Sequence, residues 1–266
     1  MKKEKIAIIG AGNIGIAIAE GLHASGEFKA SNIILCRRNL SKLELLKKRG
    51  FKVSSNILQA SVHANYVVLA VQPKQLKKVL KEISSGLNKK KVLISVVTGV
   101  SISEIQAEVG STCPLFVAMP NTAISVQESM TCIATSNSSK AIQSKVLSMF
   151  KSMGEAIIIE ERLMAAATVL GACGIAFALR FIRATSQGGV QIGFDADVAQ
   201  LITSQTVNGA ASLLLKSGKH PEREIDRVTT PRGCTIEGLN EMEHAGFSSA
   251  VIKGLTSSHR KINTIA

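Results

Sequence analysis

The chain has no tryptophan, one tyrosine and eight phenylalanines among 266 residues, so its 45% of hydrophobic residues must build an aliphatic core. The shortage of rings also removes the stacking platforms on which single-strand nucleic-acid binders rely. No run reaches about 18 consecutive apolar residues, so no transmembrane span is expected. Residues 2–5 are charged and the apolar stretch behind them is broken by glycines and Asn13, which does not read as a secretory leader. The five cysteines, Cys36, Cys113, Cys132, Cys173 and Cys234, stand apart from one another. None has the C-x-x-C spacing of a zinc or redox site, and an odd number without a leader points to a reducing cytoplasm. His23, His63, His244 and His259 show no spacing that suggests a metal or a triad, so no metal is expected.

The formal net charge of +13 raises the question of nucleic acid. Most Lys and Arg residues, such as Lys42, Lys47, Lys48 and Arg49, fall on what read as outer helix faces. Lys89-Lys90-Lys91 is the one run of three lysines, and it precedes an apolar strand. A solvated basic surface is the preferred reading, without nucleic acid or membrane as partner, and such a field suits a small anionic substrate.

Residues 1–160 alternate β-rich runs with helical stretches, the pattern of a parallel sheet covered by helices. The runs are Lys5–Ile9, Asn32–Cys36, Phe51–Val53, Tyr66–Val71, Val92–Val97, Leu115–Ala118, Thr131–Thr135 and Ala156–Ile159. Several are apolar at successive positions, as strands covered on both faces should be. Residues 161–266 read as all-helical, with long proline-free segments at Ala165–Ser186 and Asp195–Ser217 and shorter ones at Pro221–Val228, Cys234–Ala245 and Phe247–Thr264. Asp195 suits an N-cap that accepts a backbone N–H. The fold class is therefore α/β: a Rossmann-type, doubly wound first domain, then a helical domain that buries apolar surface against a second copy of itself.

The strand Ile6–Ile9 runs into Gly10-Ala11-Gly12-Asn13-Ile14-Gly15, and a helix-compatible stretch follows. In that context the three glycines have separate tasks: a tight turn, close approach of backbone to a pyrophosphate, and close helix–strand packing. The phosphates would sit at the helix N-terminus, where free N–H groups favour negative charge. The end of the second strand then selects the cofactor. An NAD site usually carries an acid there for the ribose 2′-hydroxyl, but this chain has Arg37 and Arg38, which can grip a 2′-phosphate. NADP(H) is expected, with NAD(H) as a second candidate.

These segments resemble pyrroline-5-carboxylate reductases over essentially the whole chain. The resemblance is carried by Ile9–Gly15, Leu69-Ala70-Val71-Gln72-Pro73, Met119-Pro120-Asn121-Thr122 and, most specifically, Val228-Thr-Thr-Pro-Arg-Gly-Cys-Thr-Ile-Glu-Gly-Leu239. It implies a Rossmann domain with a helical dimerisation domain, a homodimer that admits a larger assembly, and NADPH-dependent reduction of a cyclic imine to L-proline. It implies that Asn56, Ala70, Val71, Gln72 and Pro73 border the cofactor. Met119, Pro120, Asn121 and Thr122 would lie near the nicotinamide, with Asn121 also toward the substrate. Gly233, Cys234 and Thr235 would form the substrate pocket, with Thr235 beside the imine.

The chain departs from that family at Gln72, where Lys is usual, and at Val117 and Ala123, where Arg and Pro are usual. Gly171-Ala172-Cys173-Gly174-Ile175-Ala176 replaces Gly-Ser-Gly-Pro-Ala, and Arg232 replaces a glycine. Two other readings stay open: a related imine or β-hydroxyacid dehydrogenase, and a non-catalytic NADP sensor. The absence of lysine from Ala165–Ala178 counts against a β-hydroxyacid dehydrogenase.

From the residues themselves, the loop Pro231–Thr235 enters a helix and presents free N–H groups suited to a carboxylate. Arg232 either adds to that site or points to solvent. The Thr235 hydroxyl can orient the imine nitrogen, cap the helix that starts there, or do both.

Overall fold

The computed structural model describes residues 4–110, 113–136, 138–262 and 264. Eight strands form one sheet: β1 (Ile6–Ile9), β2 (Ile33–Cys36), β3 (Lys52–Ser54), β4 (Tyr66–Leu69), β5 (Val92–Ser95), β6 (Leu115–Met119), β7 (Ser129–Thr135) and β8 (Gly154–Ile158). Their order is β3-β2-β1-β4-β5-β6-β7-β8, so the topology reverses between β1 and β4, where dinucleotides bind in doubly wound sheets. Alternate strand residues enter opposite cores. Ile6 and Ile8 join Phe28, Phe116 and Phe150 on one face, and Ala7 and Ile9 join Leu76, Leu80 and Ile105 on the other. Burial on both faces accounts for runs that are apolar at every position.

The sheet is not wholly parallel as expected. β7 runs antiparallel to β6, with Met119 opposite Cys132. The link between them holds only a 3₁₀ turn, Thr122–Val126. That is too short for the crossover a parallel neighbour needs, about a dozen residues or more.

The first compact unit comprises Met1–Cys173 with His259–Ala266, and the second Gly174–Ser258. The first unit's helices are α1 (Asn13–Ala24), α2 (Glu44–Lys48), α3 (Ile57–His63), α4 (Pro73–Ile83), α5 (Ile102–Val109), α6 (Lys140–Lys151) and α7 (Met164–Ala167), followed by a π-helical turn at Thr168–Cys173. Residues 161–173, which read as the start of the helical domain, thus group with the sheet. Met164, Thr168 and Val169 are buried there.

Lys42, Lys47, Lys48 and Arg49 are exposed, as a solvated basic surface requires. Lys91 is not. It is 8% exposed, and its Nζ donates to the carbonyls of Ser61, Val62 and Ala64 at 2.8, 2.8 and 2.6 Å. Those carbonyls sit at the C-terminal end of α3, so the cation closes a helix end and faces its negative dipole.

The second unit contains α8 (Gly174–Gln191), α9 (Ala196–Ser217), α10 (Pro221–Val228), α11 (Cys234–His244) and most of α12 (Phe247–Ile262). Helices α8 and α9 approach closely at Gly189, where a Cβ would lie 2.9 Å from that of Ala199. Asp195 is the N-cap of α9, but its side chain makes no capping hydrogen bond. No residue of α8, α10 or α11 is buried, and Leu179, Ile192, Leu201 and Leu215 are among the exposed apolar side chains. By length and composition the helical stretch Glu161–Gln191 could cross a bilayer, since an 18-residue window within it has mean hydropathy 1.9 with 11% of that window buried, although polar residues interrupt it.

Candidate active site

The glycine turn leaves β1 with two N–H groups, of Gly10 and Ala11, donating to the Cys36 carbonyl at 3.0 and 2.9 Å. Gly10 has φ +102°, and a Cβ there would lie 2.5 Å from the Ala70 carbonyl oxygen. At Gly15 a Cβ would strike the Gly10 carbonyl. Both glycines are therefore required by the fold. Gly12 differs: among the described residues a Cβ there would meet nothing within 4 Å, so they leave the space over it open. The first intrahelical bond of α1 runs from Ile16 N–H to Gly12 O at 2.9 Å, so the amides of Asn13, Ile14 and Gly15 precede the ladder and face that space's end of the helix. Open room at the one glycine that the packing does not need fits a cradle for pyrophosphate.

Arg37 and Arg38, which sequence treats alike, are set apart by the fold. Arg37 Nη1 donates to the Ala11 carbonyl at 2.7 Å, tying the end of β2 to the turn. Arg38 is exposed. Asn56 accepts from Gln59 N–H at 2.8 Å and so caps α3. At the end of β4, Ala70 N–H donates to Ile9 O at 2.8 Å, which holds Ala70 beside Gly10. Val71 is half-buried, and Gln72 and Pro73 are exposed. Gln72 is the N-cap of α4 and Pro73 its first residue, with Gln72 N–H donating to Gln75 Oε1 at 3.3 Å. Gln72 thus fills the helix-start role that its backbone position demands, with no charge.

A cavity of about 460 Å³ opens at the carboxyl ends of β5 and β6, with Val97, Val117, Met119, Met164 and Thr168 among its walls. Pro120 and Asn121 follow Met119 and are buried, whereas Thr122 is exposed. Asn121 is heavily committed. Its Oδ1 accepts from Ala123 N–H at 3.0 Å, its Nδ2 donates to Gly171 O at 3.1 Å, and its own N–H donates to Ser129 Oγ at 3.1 Å. It clamps the π-helical turn to the end of β6.

In the second unit, Gly233 is the N-cap of α11, with Cys234 and Thr235 its first residues. The cap position thus falls two residues before Thr235, and no side chain among the described residues caps this helix, which leaves the Thr235 hydroxyl exposed and free of that duty. Gly233 N–H donates to Thr230 O at 2.9 Å, and a Cβ on Gly233 would lie 2.5 Å from Thr230 Oγ1. Arg232 has φ +59°, the left-handed region that favours glycine.

Comparison with known proteins supplies the context. A family model described as pyrroline-5-carboxylate reductase dimerisation matches residues 161–265, and one described as NADP oxidoreductase, coenzyme F420-dependent, matches residues 5–99. Pyrroline-5-carboxylate reductase 1 of Dictyostelium discoideum is 46% identical over 96% of this chain, which spans 49% of that relative's length. Pyrroline-5-carboxylate reductase 2 of the same organism is 43% identical over 97% of this chain and 92% of its own. The chain belongs to the pyrroline-5-carboxylate reductase family. The fold agrees: a structure of Plasmodium falciparum pyrroline carboxylate reductase with NADP bound superposes with a TM-score of 0.90 at 26% identity, covering 99% of this chain and 98% of that one.

Within this reductase family, the Arg232 departure has a visible physical consequence, because a residue with a Cβ now occupies a glycine conformation. The apolar composition of Glu161–Gln191 is also placed, since that stretch begins the dimerisation match. Sequence reading missed several groups. Glu161 Oε1 accepts from Ile102 N–H at 2.6 Å and caps α5 from a distance in sequence that no local pattern reveals. In the sequence Cys36 is a strand end and one of five separate cysteines, yet its carbonyl anchors the turn. Burial pushes its thiol up to about 12, so it stays neutral.

Proposed function

We propose that the protein reduces 1-pyrroline-5-carboxylate to L-proline with NADPH. The observation that carries this reading is the open cradle over Gly12, a dinucleotide site in a chain whose full-span relatives bear that enzyme's name. When bound, the cofactor supplies the hydride that the imine carbon receives.

The chain's own residues divide the remaining work. The amides following Gly12 hold the pyrophosphate, Arg37 fixes the turn, and exposed Arg38 meets the 2′-phosphate. Asn56 and residues 70–73 border the cofactor. Met119 and Pro120 give the nicotinamide end an apolar boundary, while Asn121 serves as a clamp on it. The N–H groups of Cys234 and Thr235 receive the substrate carboxylate at the start of α11, where Gly233 is the N-cap. The Thr235 hydroxyl hydrogen-bonds the imine nitrogen and orients it; a threonine is too weak an acid to act as more than a relay. The working form is a homodimer through the second unit, supported by its matched dimerisation model and by helices with no buried residue. The cytoplasm suits this chemistry.

The test is consumption of NADPH by the purified protein, with and without pyrroline-5-carboxylate, alongside proline analysis. One proline per NADPH supports the reading. Tight NADPH binding without turnover would overturn it and favour a sensor.

A further inference from the structure

We infer that Ile262 is a positioning residue for the nicotinamide ring, placed by the last turn of α12 as one wall of the cavity at the ends of β5 and β6. The inference rests on reading the glycine turn as an NADP site, and on nothing about the substrate. Ile262 is 8% exposed and is the buried residue of α12, whose preceding fifteen positions include none. It lines the 460 Å³ cavity together with Val97, Met119 and Thr168. Here the chain returns to the first unit at His259, and the carbonyl of Lys261 receives both the N–H and the hydroxyl of Thr264, at 3.1 and 2.8 Å.

The sheet explains why this cavity suits the ring. The glycine turn stands at the carboxyl end of β1, and the cavity at the same edge, beyond β4, at β5 and β6. Strands lie about 4.8 Å apart, so roughly 10–14 Å separate the two places, within reach of one half of an extended dinucleotide. The polar side chains there have partners: Ser101 with Ser103 and Glu104, Glu161 with Ile102 N–H, Arg162 with Glu160, and Thr168 with the Met164 carbonyl at 2.8 Å. What remains is an apolar wall, against which a flat ring can rest with one face while the other stays open to substrate. Branched Ile262 limits tilt, and small errors of tilt weaken a near-attack geometry steeply.

The experiment compares two ligands on Ile262→Trp, Ile262→Ala and Ile262→Val. NADPH has the ring; 2′-phospho-ADP-ribose carries the same 2′-phosphate and pyrophosphate without it. Ile262→Trp pushes an indole into the cavity where the ring would rest, and NADPH affinity should fall about tenfold or more while 2′-phospho-ADP-ribose affinity stays within about twofold. Equal affinity of the Trp variant and the unmodified protein for NADPH would overturn the inference. If the Trp variant fails to fold, Ile262→Ala decides: kcat should fall about 5–20-fold with 2′-phospho-ADP-ribose binding retained, and Ile262→Val should restore it. An Ala variant with unchanged kcat and NADPH affinity would refute the role. A protein that shows the ligand difference yet reduces no imine would sink the functional reading and leave this inference standing.

Discussion

Arg37 Nη1 donates to the carbonyl of Ala11 at 2.7 Å, which joins the end of β2 to the middle of the glycine turn. Two adjacent arginines therefore do different things. Arg37→Ala should loosen the turn and weaken NADPH and NADH together, by about 10–100-fold in kcat/KM, the scale of a charge-assisted hydrogen bond. Arg38→Ala should weaken NADPH alone and bring the two cofactors closer. Steady-state assays with both cofactors check this, and a selective loss of NADPH in Arg37→Ala would reverse the assignment.

The glycines also separate. Gly12→Ala meets no atom of the described residues within 4 Å, so the protein should keep its thermal midpoint while NADPH affinity falls at least about tenfold. Gly15→Ala collides with the Gly10 carbonyl and should cost roughly 1–3 kcal/mol of stability, as overpacking does. Thermal melts and NADPH titration of both variants give the comparison.

How much of this the sequence makes legible depends on whether a feature is local. The strand–turn–helix at Ile6–Gly15 is read correctly because period, glycine spacing and context all lie within ten neighbouring residues. The eight strands appear within two residues of their expected ends, most plainly β1, β2, β4 and β6, where double burial makes the run continuously apolar. The antiparallel β7 is not visible in that signal, since direction is set by the length of the link and not by the run itself. Lys91 reads as part of a surface run because its partners, Ser61, Val62 and Ala64, lie about thirty residues away. The difference between Arg37 and Arg38, the clamp at Asn121 and the burial of Ile262 are likewise long-range facts. Thr235 is legible only through its resemblance to a family motif, because the sequence alone leaves it a helix cap or a ligand.

Arg232 offers a test of strain. A non-glycine residue in the left-handed region costs about 1–2 kcal/mol, and glycine's greater unfolded freedom returns about 0.5–1. Arg232→Gly should therefore raise stability by about 0.5–1 kcal/mol, read from a chemical or thermal unfolding curve. A destabilised variant would mean that the guanidinium makes a compensating contact.

The Cys36 thiol, pushed up to about 12 by burial, predicts a pH dependence. Above the ordinary thiol value near 9 the unfolded chain loses this proton and the folded chain keeps it, so the folded state binds more protons and stability falls as pH rises. The contribution approaches about 1.4 kcal/mol per pH unit within that window. Tyr66, raised to about 12 by burial and by Glu4, acts in the same direction. Cys36→Ala should show a shallower alkaline loss than the unmodified protein in unfolding curves taken from neutral to alkaline pH.

The most direct measurement of the central claim follows NADPH consumption and L-proline formation together, in the unmodified protein and in Thr235→Val. The account predicts one proline per NADPH in the former. In Thr235→Val it predicts kcat/KM for pyrroline-5-carboxylate lower by about 10–100-fold with NADPH affinity unchanged. No imine-dependent oxidation by the unmodified protein, or full activity in Thr235→Val, would contradict it.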